Sequence, residues 1–164
     1  MYKIEKLSET HLVGNFDCGT ESKNTFLHKF ALQNSKGGLG RTYVAVDEAK
    51  GSILGYYTIS SGSVRFENLP SRNLPRYPVP SILIGKLAVD KSAQGQGLGS
   101  ALLFDALTRA ADVADKIGVF LVEVKALDEP AKAFYLKHEF TEMLDDKFRL
   151  FLTIKKFRKV LSPR

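Results

Sequence analysis

Three glycines, Gly95, Gly97 and Gly99, alternate with Gln96 and Leu98 inside the stretch LAVDKSAQGQGLGSALL, residues 87–103. An apolar run precedes them and an apolar-periodic segment follows, so they join a strand to a helix N-terminus. Glycine is conformationally expensive in such a place, and the bare backbone must have a task. A strand, a glycine turn and a helix start together make an anion site. Successive N–H groups point into one concavity, and the helix dipole adds positive potential there. Side chains at 95, 97 and 99 would block the close approach of a phosphate. A P-loop would need Gly-Lys-Ser/Thr, whereas Ser100 and Ala101 follow Gly99 here. A dinucleotide turn would need G-x-G-x-x-G and an acidic end to the next strand; the spacing is wrong and that strand ends at Lys125. The pattern that fits is Q-x-x-G-x-G, on Gln94, Gly97 and Gly99.

Other chemistry-bearing residues are sparse. His11, His28, His138 and the single cysteine, Cys18, have no zinc-ligand spacing, so no metal site is expected. No acidic residue stands out as a general base. Asp90 follows a strand and reads as the cap of the turn, and Glu123 is compatible with either face of its strand.

The elements that must position the glycine turn can be read from periodicity. Phe26, Leu27, Phe30 and Ala31 share one face of a helix over 22–34, with Ser22 as its cap. Residues 42–48 and 53–66 read as an antiparallel hairpin. Residues 67–81 hold four of the six prolines and form a loop. A central strand follows over 81–90 and a helix over 100–116. The remaining elements are a strand over 119–126, a short helix over 129–140 with Pro130 in its first turn, and a last strand over 148–157. The order α, β, β, β, α, β, α, β predicts an α/β fold with a central mixed sheet and helices on both faces. A right-handed crossover sets 119–126 parallel to 81–90. With 164 residues and no linker or repeat, residues 1–164 read as a single domain.

At this level the chain resembles the GNAT family of N-acetyltransferases. Q-x-x-G-x-G after LAV looks like their acetyl-coenzyme A pyrophosphate loop, and AFYLKHEF, residues 133–140, is similar to their A-x-x-F-Y-x-x-x-G-F. The element order is also that of the family. One departure falls at Glu139, where the motif has glycine, so the exit from that helix is in question. FDCGTESKNTFLHKFALQNSKGGLGRTYVAVDE, LGYYTISSGSV, IGKLAVDKSAQGQGLGSALLFDAL and KAFYLKHEF cover nearly the whole sequence. Together they resemble the GNAT toxins of type II toxin–antitoxin systems, the TacT/AtaT-like group.

That resemblance implies a toxin that uses acetyl-coenzyme A to acetylate the α-amino group of aminoacyl-tRNA. It also implies a homodimer and an antitoxin partner with a ribbon-helix-helix DNA-binding region. In the same terms, amides of Gly95, Gln96, Gly97, Leu98, Gly99 and Ser100 cradle the pyrophosphate, and Gln94 shapes the loop. The backbone of Leu87, Ala88 and Val89 pairs strand-like with the pantetheine arm, and an N–H of Leu87 or Val89 polarises the thioester carbonyl. The side chains of Leu87, Val89 and Leu98 do no more than pack. Phe134 packs on the cofactor side of its helix. Tyr135 is the general acid, because a phenol of reference pKa ~10 stays protonated at neutral pH and can give its proton to the departing sulfur.

The missing base bears on the acceptor. A lysine amine of pKa ~10.4 is roughly 99.9% protonated at pH 7, whereas an α-amine of pKa ~7.7–8 is already about 10–15% neutral. An enzyme without an evident base suits the α-amine. The formal charge of +6 favours an anionic partner. Arg65, Arg72 and Arg76 in the proline-rich loop and Lys155, Lys156, Arg158, Lys159 and Arg164 in the tail are candidates to hold RNA phosphates. The tail reads equally as a solvated edge strand whose lysines block aggregation. A GNAT enzyme acting on a small-molecule amine or a protein N-terminus stays open as the alternative, as does a non-catalytic binding module. No apolar run is long enough for a membrane span and the N-terminus has no signal-peptide stretch. A lone cysteine suits a reducing compartment, so a cytoplasmic protein is expected.

Overall fold

The computed structural model describes residues 1–70 and 73–161, which divide into two units. The first comprises Met1–Ser60 and Gly85–Ala106, the second Ser61–Ile84 and Leu107–Arg164.

The first unit opens with strand β1 (Tyr2–Lys6), which the sequence pattern does not announce. Helix α1 (Glu21–Thr25), a π-helical turn (Phe26–Phe30) and helix α2 (Ala31–Lys36) follow as one continuous stretch. Thr20, not Ser22, stands at the N-cap of α1, and it makes no side-chain capping bond. Strands β2 (Arg41–Asp47) and β3 (Ile53–Val64) pair antiparallel, Tyr43 opposite Tyr57, and β1 lies antiparallel to β2. The back half of strand β4 (Val79–Val89) and the front of helix α3 (Leu98–Ala114) complete the unit, with strand order β1-β2-β3-β4.

Neighbouring tyrosines fix both faces of this sheet, because successive side chains of a strand point to opposite sides. Tyr56 is fully buried with Leu27, Ala31, Val44, Val46 and Ala88, and its hydroxyl donates to the Lys23 carbonyl of α1 at 2.8 Å. Tyr57 is buried on the other face and donates to Asp105 of α3 at 2.5 Å. Gly55, on the Tyr57 side, is where α3 comes closest. A Cβ there would stand 2.8 Å from Leu102 Cδ1 and 3.0 Å from the Ala88 carbonyl.

The second unit takes the end of β3, the start of β4 and the end of α3. It adds β5 (Leu121–Lys125), α4 (Glu129–Lys137), β6 (Thr141–Glu142), β7 (Arg149–Thr153) and α5 (Ile154–Leu161). β5 runs parallel to β4 with Ser81 opposite Leu121, and β7 is antiparallel to β5, so the sheet is mixed as expected. The order β3-β4-β5-β7-β6 extends it to seven strands. The proline-rich loop is pinned by Leu69, which is buried with Val64, Val79, Leu121 and Met143.

The last strand is shorter than the sequence suggested. It stops at Thr153, and residues 154–161 are helical. Ile154 and Phe157, three residues apart, are the buried pair, with Lys155, Lys156, Arg158 and Lys159 exposed between and after them. The Thr153 hydroxyl accepts from the Lys156 N–H at 3.1 Å, a side-chain cap that starts the helix. Residues 154–161 are therefore an amphipathic helix and not an edge strand.

Candidate active site

The geometry of β4 in the first unit sets up the site. The Asp90 N–H bonds to the Leu54 carbonyl of β3, and the Ala88 carbonyl faces Gly55 of the same strand. Backbone direction alternates along a strand, so the N–H and C=O groups of Leu87 and Val89 point away from β3. The parallel register with β5 runs only from Ser81 to Ile84. Leu87 and Val89 thus present a strand edge to whatever lies beyond, which suits an extended ligand carrying amides of its own.

Side chains of this chain hold both carbonyls on that edge. Gln94 Nε2 donates to the Val89 carbonyl at 2.9 Å and to the Cys18 carbonyl at 3.0 Å. Lys23 Nζ donates to the Leu87 carbonyl at 3.2 Å. Gln94 is thereby the residue that folds the turn back onto the strand it leaves.

The turn is locked at its base by Asp90. One carboxylate oxygen accepts from the Ser92 N–H (3.0 Å) and hydroxyl (2.7 Å), and the other accepts from the Asp17 N–H (2.8 Å). Burial alone would raise the Asp90 pKa, but these donors outweigh it and hold the carboxyl below its usual range. Asp17 in turn accepts from the Gly19 N–H and from Asn24 Nδ2, both at 2.9 Å, and Asn24 Oδ1 accepts from the Cys18 N–H at 2.8 Å. The Gly19 amide, followed by Asn24, depresses the Asp17 pKa. Asp17, Asn24 and Lys23 are absent from the set read off the sequence. The only local signal is Asp17-Cys18-Gly19, an Asp placed to accept from an amide two residues on.

After Asp90 a 3₁₀ turn (Lys91–Ala93) leads into the glycines. Gly95 has φ +76° and Gly97 φ +84°, and a Cβ on either would meet nothing within 4 Å. The left-handed backbone, and not crowding within the chain, calls for glycine at both. Gly99 lies in the first turn of α3, and the helix's own ladder begins with the Ala101 N–H on the Gly97 carbonyl at 3.1 Å. The first turn of α3 thus lies at the dipole's positive end, next to the strand edge, where an anion is favoured. Gln94, Gln96 and the turn glycines are exposed, Leu98 and Ala88 are buried, and Gly99 and Ser100 are half-buried. All the residues from Leu87 to Ser100 that the sequence singled out lie in this one unit. The residues present fit a ligand with an amide-bearing arm and a phosphate group.

In the second unit Asp128 caps α4, accepting from the Ala131 N–H at 2.9 Å, with Pro130 in the first turn. Tyr135 is buried at 7% exposure between Phe134 and Phe140. Its hydroxyl has no hydrogen-bond partner among the described residues. No fully buried side-chain oxygen among them lacks one, so the hydroxyl is the end of the ring that reaches the surface. Burial pushes its pKa up to about 12. Such a phenol stays protonated at any physiological pH, as a proton donor must. His138 packs on Phe134 and its Nδ1 lies 2.8 Å from the Phe134 carbonyl.

The departure at Glu139 has a definite structural outcome. Glu139 is in the left-handed region at φ +72°. The Phe140 N–H bonds to the Tyr135 carbonyl and the Glu139 N–H to the Leu136 carbonyl, both at 3.1 Å. That is the helix ending a glycine would make. The exit is kept, and a non-glycine residue carries its strain. Lys156 of α5 reaches back to the Glu139 carbonyl (3.3 Å) and carboxylate (3.4 Å).

The cations proposed for RNA differ in their surroundings. Arg76 and Lys155 are exposed. Lys156 is tied to Glu139, and Arg158 to the Ala111 carbonyl and the Asp115 carboxylate. Arg72 and Arg164 lie outside the described residues. Glu123 is buried, accepting from the Ser81 hydroxyl at 2.7 Å and pairing with Arg149 at 3.5 Å. Among the described residues no group of His, Cys, Asp or Glu is arranged to hold a metal ion, and no helix is long and apolar enough to cross a membrane.

These features define an acetyltransferase of the GNAT class. Residues 38–142 match the model of the acetyltransferase (GNAT) domain, and the chain belongs to that family. It is 38% identical over 160 residues to a Mycobacterium tuberculosis protein named tRNA-acetylating toxin, covering 96% of this chain and 95% of that one. The solved structure of AtaT complexed with acetyl-methionyl-tRNAfMet superposes with a TM-score of 0.93 at 28% identity, covering 99% of this chain and all of that one. A tyrosine-to-phenylalanine mutant of the AtaT toxin, bound to the C-terminus of the antitoxin AtaR and to acetyl-CoA, gives a TM-score of 0.85 at 26% identity, with 99% of each chain covered.

Proposed function

We propose that residues 1–164 act as one acetyltransferase domain that moves an acetyl group from acetyl-CoA to the α-amino group of aminoacyl-tRNA. The chain is then a toxin, since a blocked amine cannot attack in peptide-bond formation. The observation that carries this reading is the 38% identity to a tRNA-acetylating toxin across 96% of the chain. Acetyl-CoA supplies the activated acetyl group. The Leu87–Val89 edge would pair with its pantetheine arm, the amides of Gly95–Ser100 would hold its pyrophosphate, and Gln94 would keep the turn shaped for it. Tyr135 would protonate the departing sulfur, and Phe134 would keep the tyrosine ring oriented. Arg72, Arg76, Lys155, Lys156 and Arg158 are the cations from which a phosphate-binding surface would be drawn. The protein works in the cytoplasm, as a homodimer, and is silenced by an antitoxin of the ribbon-helix-helix type.

The test is to supply labelled acetyl-CoA with total charged tRNA, deacylated tRNA, a polyamine and peptides with free N-termini. The reading expects label in charged tRNA alone. Label in the polyamine or in peptide N-termini would move the chain to the alternative, an enzyme of small amines or protein N-termini.

A further inference from the structure

Lys23 is the residue near the β4 edge that neither the glycine motif nor the aromatic motif accounts for. Its backbone is pinned on both sides. Its N–H donates to the Thr20 carbonyl at 3.1 Å, and its carbonyl accepts the buried Tyr56 hydroxyl at 2.8 Å. The side chain then crosses to a strand 64 positions away and sets its ammonium 3.2 Å from the Leu87 carbonyl. The N–H and C=O of one residue point to the same edge of a strand, so the ammonium stands beside the Leu87 N–H. Lys86 of the same strand is engaged elsewhere, its Nζ lying 4.9 Å over the ring of Phe26, which stacks on Tyr56.

We propose that the Lys23 ammonium, held at the Leu87 edge of β4, stabilises the negative charge that builds on the thioester oxygen during acetyl transfer. The inference rests on the acetyltransferase reading above. The acceptor amine's lone pair forms the new C–N bond while the carbonyl π pair moves onto oxygen. That pair then returns, the C–S bond breaks, the thiolate takes a proton, and the amine's surplus proton goes to solvent. Lys23 stays protonated throughout and is regenerated unchanged. A full positive charge placed before the reaction begins needs no reorganisation, and it adds to the backbone N–H as an oxyanion donor. This also bears on the missing base. A site that lowers the barrier by stabilising the oxygen can work on the small neutral fraction of an α-amine.

Three variants separate charge from anchoring: Lys23→Met, Lys23→Gln, which keeps an N–H donor but no charge, and Lys23→Arg. With acetyl-CoA and total charged tRNA, Met and Gln should lower kcat by on the order of 10²-fold at unchanged acetyl-CoA KM. Arg should recover at least a tenth of the parent rate. The carbonyl stretch of bound, isotope-labelled acetyl-CoA gives a reading apart from turnover: it should lie at lower frequency in the parent and in Arg than in Met and Gln. Recovery by Gln, or a carbonyl stretch identical in all four proteins, would make Lys23 an anchor of α1 and overturn the proposal. If the parent itself labels a polyamine instead of charged tRNA, the substrate reading fails, while the same variants, assayed on that amine, still judge Lys23.

Discussion

The glycine turn before α3 and the end of α4 both need left-handed backbone, and they meet the requirement differently. In the 94–97 turn Gly95 and Gly97 supply it at no steric cost, and space is open above both. At the end of α4 Glu139 adopts φ +72° and bears a strain that glycine would avoid. The difference follows what each turn faces. In the proposed cradle the first must let a ligand reach bare amides, so a side chain there would stand in the ligand's way. The second only has to end a helix and hold Tyr135, so a side chain is tolerated where Lys156 can bind it.

The largest effect should come from putting a side chain into the first turn. Gly97→Asp should abolish acetyl-CoA binding by calorimetry while leaving the melting transition in place. Aspartate accepts left-handed backbone better than most residues, but its charge repels the pyrophosphate. Measurable binding of unchanged affinity would remove the cradle assignment. Tyr135→Phe comes next. It keeps the aromatic packing and deletes the hydroxyl, and turnover should fall by about 10²-fold at unchanged acetyl-CoA affinity. A fall of only a few-fold would leave Tyr135 a packing residue. Its raised pKa also fixes the pH behaviour. The folded state holds this proton more tightly than the unfolded chain does. The stability it contributes is therefore complete below pH ~10 and is lost as pH rises through about 12. In its proposed role as general acid, Tyr135 should accordingly impose no alkaline limb on kcat below pH 10, a point read directly from a pH–rate profile.

Charge changes should act more gently. Replacing Arg76 and Lys155 by glutamine should raise the KM for charged tRNA several-fold. It should also flatten the log–log salt dependence by up to roughly two units, one for each phosphate left without its cation. Lys156→Gln and Arg158→Gln should do less, since carboxylates already engage both residues. Equal effects from both pairs would contradict this ranking. The smallest effect is expected at the second turn. Glu139→Gly relieves ~1–2 kcal/mol of left-handed strain. Against it stand ~0.5–1 kcal/mol for glycine's extra unfolded freedom and a few tenths for an exposed ion pair. A net gain of roughly half a kcal/mol should raise the melting temperature by a degree or two. A lower melting temperature would mean that Lys156 contributes more than the strain costs.

What the sequence disclosed divides along the same physical line. The glycine turn, the β2–β3 hairpin and the parallel β4–β5 pair are encoded in local spacing, and they were legible. Strand β1 was not, because it is an edge strand whose residues are exposed or half-buried and show no alternation. Helix α5 was hidden because Leu150, Leu152 and Ile154 keep a period of two up to the boundary. Only the step from Ile154 to Phe157 marks the change to a helical period. The Asp17–Asp90 bracket and the placement of Lys23 on Leu87 join residues 73 and 64 positions apart, which no local pattern records.

The central claim is that the acceptor is the α-amine of an aminoacyl-tRNA. Its most direct test is the mass of the amino acid released by mild base from tRNA treated with the protein and acetyl-CoA. A gain of one acetyl group is expected on the released amino acid, none on deacylated tRNA, with product forming about 10²-fold more slowly in Tyr135→Phe. Acetyl groups recovered on a nucleobase, or no gain on any charged tRNA while another amine is acetylated, would contradict it.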